Sequence, residues 1–333
     1  MSGRSRRAGR TARPLIAGAG LAAVTALLSV YAIGVGDVPL TPAEVVATLL
    51  GRGDAAAEFV VMTLRVPRVV IALLVGAALG VSGAVFQSLS RNPLGSPDVI
   101  GFTTGAATGA IVQILVIGGG PALLAGSAVG GGVAAAGLVY LLAYRRGVQG
   151  QRMVLIGIGV SAMLYSVNSF LITRAEVTAA QRANAWLFGS LNGRGWEHVG
   201  MVAVALAVLL PPVLALGPRM SLLEMGDDVA GGLGVPAERT RLTLMLAAVG
   251  LCATATAAVG PLEFVALTAP QLARRLTRTT GSGLVTSALM GGALLLAADV
   301  AAQRVPGSGQ VPVGVMTAAI GGCYLAYLLS RRR

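Results

Sequence analysis

The sequence predicts an all-α, polytopic membrane protein with ten transmembrane helices. Three observations lead there. Apolar residues make up 55% of the chain and charged residues only 11%, where a soluble domain carries about a quarter of its residues as charges. The apolar residues gather in runs long enough to cross a bilayer, about 17–25 residues each. The arginines cluster between those runs, as the positive-inside rule requires. No hydrophilic stretch is long enough for a second unit, so residues 1–333 are read as a single transmembrane domain.

The segments follow in order. A basic tail, 1–14, carries Arg4, Arg6, Arg7, Arg10 and Arg13 and leads into segment 15–36. That apolar run, about 22 residues, exceeds the 7–15 of a signal-peptide core. "SRRAGRTAR" is also a poor twin-arginine signal, so the segment is read as an uncleaved helix. Next come 66–87, 97–117, 121–143, 153–173, 198–217 and 240–260. Segment 262–273 is too short to span as a regular helix. It is expected as a half-helix or re-entrant piece, tolerable only where protein or a water-filled cavity covers its ends. Segments 284–302 and 312–330 complete the set.

Ten segments put both termini on one side. With both in the cytoplasm, 18 of the 25 basic residues lie inside. They are the tail, Arg91, Arg145, Arg146, Arg152, Arg219, Arg239, Arg241, Arg274, Arg275, Arg278 and Arg331 to Arg333. Outside remain Arg52, Arg65, Arg68, Arg174, Arg182, Arg194 and Arg304. That asymmetry fixes the orientation. It also places the net charge of +12 at a membrane surface rather than on a nucleic acid.

Composition excludes several chemistries. Every basic residue is Arg, with no Lys anywhere, so the chain cannot carry a Walker A site, whose Lys reaches the β- and γ-phosphates. Schiff-base chemistry falls with it. Two Cys, at 252 and 323, and one His, at 198, make neither a metal site nor a disulfide framework. Glycine is placed in register: Gly76 with Gly80, and Gly101 with Gly105 and Gly109. Small residues four apart let helix backbones approach closely.

Four stretches draw attention. In "RNPLGSPDVIG", 91–101, Pro93 and Pro97 break any helix. The break is either a tight turn or part of a solute path, which broken helices commonly border. In 63–87, Arg65 and Arg68 stand at an outer helix end against the charge trend, on one face if Pro67 lies in the first turn. They read as snorkelling anchors or as a docking point for an acidic partner. The inner loop 218–239 contains a short helix with Leu222, Met225, Val229 and Leu233 on one side and Glu224, Asp227 and Asp228 on the other, stopped by Gly231, Gly232 and Gly234. A lipid-facing helix would show basic residues; acids suit a helix offered to a cytoplasmic protein. In 260–276, Pro270 is expected to break the segment, and Glu263, with Asp299, is one of few acids at membrane depth.

Ordered blocks then carry a resemblance. They are "RVPRVVIALLVGAALGVSGAVFQSLSRNPLGSPDVIGFTTGAATGA", "VLIGIGVSA", "WLFGSLNGRGW", "LLEMGDDVAGGLGV", "GPLEFVALTAP" and "VPVGVMTAAIGG". From about Arg65 to Leu329 the chain resembles the FecCD-like permeases, the membrane subunits of ABC importers for iron–siderophores, haem and vitamin B12. The resemblance implies the type II ABC importer permease fold. It also implies a second permease subunit, identical or related, two cytoplasmic ATPases and an extracytoplasmic substrate-binding protein. It implies no cofactor in this chain, ATP and Mg belonging to the partner ATPase, and no catalytic residue here.

Position by position, the resemblance assigns Leu222, Leu223, Glu224, Met225, Gly226, Asp227, Asp228, Val229, Gly231, Gly232, Leu233 and Gly234 to the element that docks into the ATPase. Arg65 and Arg68 match outer arginines that meet acids on the binding protein. A third is expected after the ninth helix, where Gln303 is followed by Arg304. Asn92, Pro93 and Leu94 match the loop that narrows the cytoplasmic end of the path. Gln271 stands after Pro270 where the family often has His. The resulting expectation is a permease that moves a ferric siderophore inward through a multi-pass cell membrane. The alternative is an ion- or proton-coupled secondary transporter, which needs a midplane site of polar or acidic ligands. An intramembrane enzyme lacks a nucleophile–base pair.

Overall fold

The computed structural model describes residues 3–36, 38–144, 150–278, 283–305 and 311–330, with the side chains of 3–14, 328 and 329 also left undescribed. Arg145, Arg146 and Arg331 to Arg333 therefore lie outside the described residues, as do the side chains of the N-terminal arginines. Among the described residues, every regular element is helical. A helix occupies each apolar segment expected from the sequence. Among the described residues, seven helices are long and apolar enough to cross a membrane, and two shorter apolar ones accompany them, Phe102–Ile117 and Val313–Tyr327.

Two helices form the centre. α1 is Gly3–Gly34 and α2 is Pro42–Leu49. α3 runs Ala55–Ser90, about 54 Å at 1.5 Å per residue. It starts well before the expected position because Asp54 caps it, accepting from the Ala57 N–H at 2.7 Å. Pro67 thus lies inside the helix rather than in its first turn. The turn before it, Phe59–Arg65, is π-helical, and the wider spacing accommodates a ring that would clash in a regular helix. After α3 come α4, Pro97–Ile100, and α5, Phe102–Ile117. α6 is Pro121–Ala143, α7 Gly150–Arg174, α8 Val177–Leu187 and α9 Trp196–Glu224. α10 is Asp227–Gly232, and α11, Ala237–Val259, is the second central helix. α12 is Val265–Thr277, α13 Leu284–Gln303 and α14 Val313–Ser330. α3 packs against α13, α9, α11 and α12, while α11 also packs on α6 and α5.

The glycine register is backbone contact. A Cβ on Gly76 would fall on the Gly291 carbonyl, and one on Gly80 on the Ser287 carbonyl, so α3 and α13 meet with no side chain between them. Gly109 meets the Ser127 carbonyl of α6 in the same way, and Gly105 lies against the Ala135 methyl group and the Gly131 carbonyl. Gly101 differs: at φ 94° it is the joint between α4 and α5, a backbone region that glycine enters without penalty.

α12 is the short segment the sequence anticipated, at 13 residues. Pro270 does not break it. Having no N–H, Pro270 leaves the Ala266 carbonyl without its helical donor. That carbonyl lies against Gly83 of α3, where any β-carbon would collide with it. Gln87 of α3 donates to the next carbonyl, Leu267, at 2.8 Å. The half-helix is thus bound to the central helix by backbone proximity and a side-chain bond.

Candidate functional site

The turn between α3 and α4 is built residue by residue. α3 ends at Arg91, whose φ of 50° is left-handed. Asn92 then folds an Asx turn, its Oδ1 accepting from the Leu94 N–H at 2.9 Å. The Gly95 N–H donates to the Asn92 carbonyl at 2.9 Å. Ser96 caps α4 through the Val99 N–H at 3.3 Å, with Pro97 at the first helical position. Gln271 of α12 donates to the Pro93 carbonyl at 2.8 Å. Asn92, Pro93 and Leu94 are therefore one stiff unit, moored to α12 by Gln271.

The acidic stretch 221–234 is not one amphipathic helix. α9 continues through Pro211, Pro212 and Pro218 to Glu224, so the loop begins later than 218. Each proline removes one helical bond, but Met220 and Leu223 are buried and hold the end of the helix to the bundle. Gly226, at φ 118°, then breaks the chain, and α10 begins afresh. Gly231 and Gly232 do not stop it. Both are helical, with open space where a Cβ would stand. The turn falls at Gly234, φ 77°. Leu222 is half-buried, while Met225, Val229 and Leu233 are exposed. Asp228 is exposed. Asp227 accepts from Arg241 at 2.8 and 2.9 Å and from Arg91 at 2.9 Å.

At the opposite end, Arg65 donates to the carbonyls of Ile33 at 2.8 Å and Val38 at 2.5 Å. Arg304 donates to the Tyr31 hydroxyl at 2.7 Å and stacks on that ring at 5.6 Å. Both arginines thus reach the last turn of α1. Arg68 points elsewhere. Its Nε and Nη2 donate to Asp299 at 3.0 and 2.9 Å, a two-point contact. Asp299 is 1% exposed, and Gln303 also donates to it at 2.8 Å. Arg68 and Arg194 line one cavity of about 410 Å³ between α3 and the start of α9. Arg194 lies 3.2 Å from His198 Nε2.

A second cavity, about 400 Å³, brings together Asp98, Thr103, Tyr165, Asn168, Asn184 and Glu263. The sequence separated the two acids, one at the start of a segment and one at the outer end of another. They share a wall because α3 is long, α12 is short and Gly101 lets α4 and α5 bend. Thr103 donates to Asp98 at 2.7 Å. Among the described residues, no group of three or more His, Cys, Asp or Glu side chains is placed to hold a metal ion.

Residues 15–331 match the FecCD transport family. The chain is 47% identical to the ferric enterobactin transport system permease protein FepG of Escherichia coli K12, over 93% of this chain and 94% of that protein. It is 38% identical to the Fe(3+)-citrate import system permease protein YfmE of Bacillus subtilis 168, over 95% of each. It superposes with a TM-score of 0.84 on the solved structure of an ABC transporter assigned to the metal-chelate type, in an inward-facing conformation, at 26% identity over 94% of this chain and 98% of that one. The chain belongs to the FecCD transport family.

Proposed function

We propose that this chain is the permease subunit of an ATP-driven importer that carries a ferric siderophore into the cytoplasm. What supports the substrate class is the likeness, along nearly the whole chain, to permeases named for ferric enterobactin and ferric citrate. Residues 1–333 form one permease domain with ten membrane segments and both termini cytoplasmic. It pairs with a second permease, two ATPases and an outer binding protein. Leu222 to Gly234 is the ATPase-docking element, Asn92 to Leu94 the inner gate, and Arg65, Arg68 and Arg304 the outer docking edge.

The observation favouring the ATPase contact is the exposed trio Met225, Val229 and Leu233 around a helix whose Ala230 is buried against the bundle. Apolar side chains displayed beside charged ones suit a protein cleft. Co-expression with the partner ATPase and binding protein tests the reading. The purified complex in proteoliposomes should take up iron-55-labelled ferric enterobactin only with ATP inside and binding protein outside. Changing Met225, Val229 and Leu233 to Asp should abolish ATPase copurification while leaving membrane insertion intact, since insertion depends on the apolar segments. Undiminished copurification would move the docking surface elsewhere.

Topology has its own test. The arginine asymmetry implies that Cys introduced at Ser2, which lies outside the described residues, and at Ser330 should resist an impermeant thiol reagent in intact cells. Cys323 is exposed and is replaced by Ser first. Labelling at either terminus from outside overturns the orientation.

A further inference from the structure

Arg91 occupies a position that chemistry would ordinarily give to glycine. It closes α3 in the left-handed region, φ 50°, which a β-carbon disfavours and glycine enters freely. The guanidinium that comes with this strain reaches Asp227 Oδ1 at 2.9 Å, on a different element. Asp227 is gripped on its other side by Arg241, through both oxygens at 2.8 and 2.9 Å. Arg241 also donates to Glu238 at 3.1 Å, and Tyr140 of α6 donates to the same carboxylate at 2.8 Å. A chain of charge therefore runs from the turn at 91–94 through α10 to α11 and α6.

The two arms on Asp227 differ. The Arg241 side chain is 7% exposed and bound at three points. The Arg91 and Asp227 side chains are 47% and 48% exposed, and ion pairs in water are weak and separable. One arm fixes Asp227 to the bundle and the other is free to form and break. Beyond Arg91, the turn is stiffened by its Asx bond and moored to α12 by Gln271, so a pull on Arg91 moves it as a unit.

We propose that Asp227 is a positioning residue that transmits displacement of the Asp227–Gly232 helix to the Asn92–Leu94 turn through Arg91, making this ion pair the link between the ATPase-docking element and the inner gate. The inference rests on the function proposed above. It assigns a role to Arg91, Asp227 and Arg241 together, where the sequence offered Asp227 only as an acid facing the partner.

Arg91→Gly separates this role from a structural one, because it relieves the backbone while removing the link. The complete transporter, with its ATPase and binding protein, is reconstituted and supplied with iron-55-labelled ferric enterobactin. Arg91→Gly should unfold at the wild-type temperature or above, copurify with the ATPase and still hydrolyse ATP. Iron taken up per ATP hydrolysed should fall at least tenfold. Arg91→Lys, which keeps a cation within reach of the carboxylate, should recover most of that ratio. A wild-type ratio in Arg91→Gly overturns the inference and leaves the permease reading intact. Equal loss in Arg91→Gly and Arg91→Lys overturns it too, since charge would then not matter. Absence of ATP-driven uptake by the wild-type complex strikes the permease reading, and the inference with it.

Discussion

Arg68→Glu should leave no folded protein to assay. Asp299 is 1% exposed and its carboxylate is held by the Arg68 guanidinium and the Gln303 amide. Removing one partner of a buried ion pair costs about 3–5 kcal/mol, and a glutamate there adds like-charge repulsion. Against a typical stability of about 5–15 kcal/mol, that is enough to lose the native state. The variant should insert but elute as aggregate in size-exclusion chromatography, without a cooperative thermal transition. Arg68→Gln combined with Asp299→Asn should recover much of the loss, because neither substitution strands a charge. Arg65→Glu with Arg304→Glu should behave differently. Arg65 donates to the carbonyls of Ile33 and Val38, and Arg304 to the Tyr31 hydroxyl, at and just beyond the end of α1. That double variant should stay folded and lose affinity for the binding protein, as charge reversal at an interface does. A monodisperse Arg68→Glu protein with the wild-type melting temperature would remove Asp299 from the account of stability.

The pair also marks where sequence reading stopped. The sequence singles out Arg65 and Arg68 as arginines against the expected charge asymmetry, and Asp299 as a rare acid in an apolar segment. Nothing local says that Arg68 and Asp299, 231 residues apart, meet while Arg65 turns to α1. Such pairings are set by helix packing, which a single sequence does not encode in its periodicity. Gly226 was lost for a different reason. The 3.6-residue pattern ran smoothly across it, and only its φ of 118° divides the element. The rule for proline considers the helix alone and so predicts a break at Pro270. Here the freed Ala266 carbonyl has Gly83 beside it.

Two short helices are announced only by local signals. α2 is announced by "TPAE": Thr41 and Glu44 form a reciprocal capping box, with Pro42 at the first helical position. The Thr41 backbone N–H also holds the Glu44 carboxyl below its usual range. α8, Val177–Leu187, is short and amphipathic. A search for membrane-length apolar runs passes over both. The segments that such a search does find are those whose existence the bilayer dictates, and they fall where the hydropathy put them. The turn at 91–94 lies between these cases. Its prolines announced a break, but the bond from Gln271 to Pro93 joins residues 178 apart and needed the fold.

Gly76→Ala and Gly130→Ala should shift stability in opposite directions. Both glycines are helical, so both substitutions restrict the unfolded chain equally. In a tolerant helix position that effect stabilises by about 0.4–1 kcal/mol. At Gly130, on the exposed side of α6, an added Cβ meets nothing within 4 Å, and the gain should appear as a raised melting temperature in detergent. At Gly76 the same methyl group falls on the Gly291 carbonyl and stands 2.8 Å from the Gly292 Cα. Those are backbone atoms of a packed helix, with no flexible side chain to give way. α3 and α13 must separate along their crossing, which also opens the contact between Gly80 and Ser287. Overpacking of a rigid site costs about 1–3 kcal/mol and occasionally more. Separation here also pulls on Arg68 and Asp299, which join the same two helices. Gly76→Ala should therefore lower the melting temperature, and Gly76→Leu should abolish the folded state. If Gly76→Ala melted at or above the wild-type temperature, the α3–α13 crossing would have slack, and the glycine register would not be what brings these helices together.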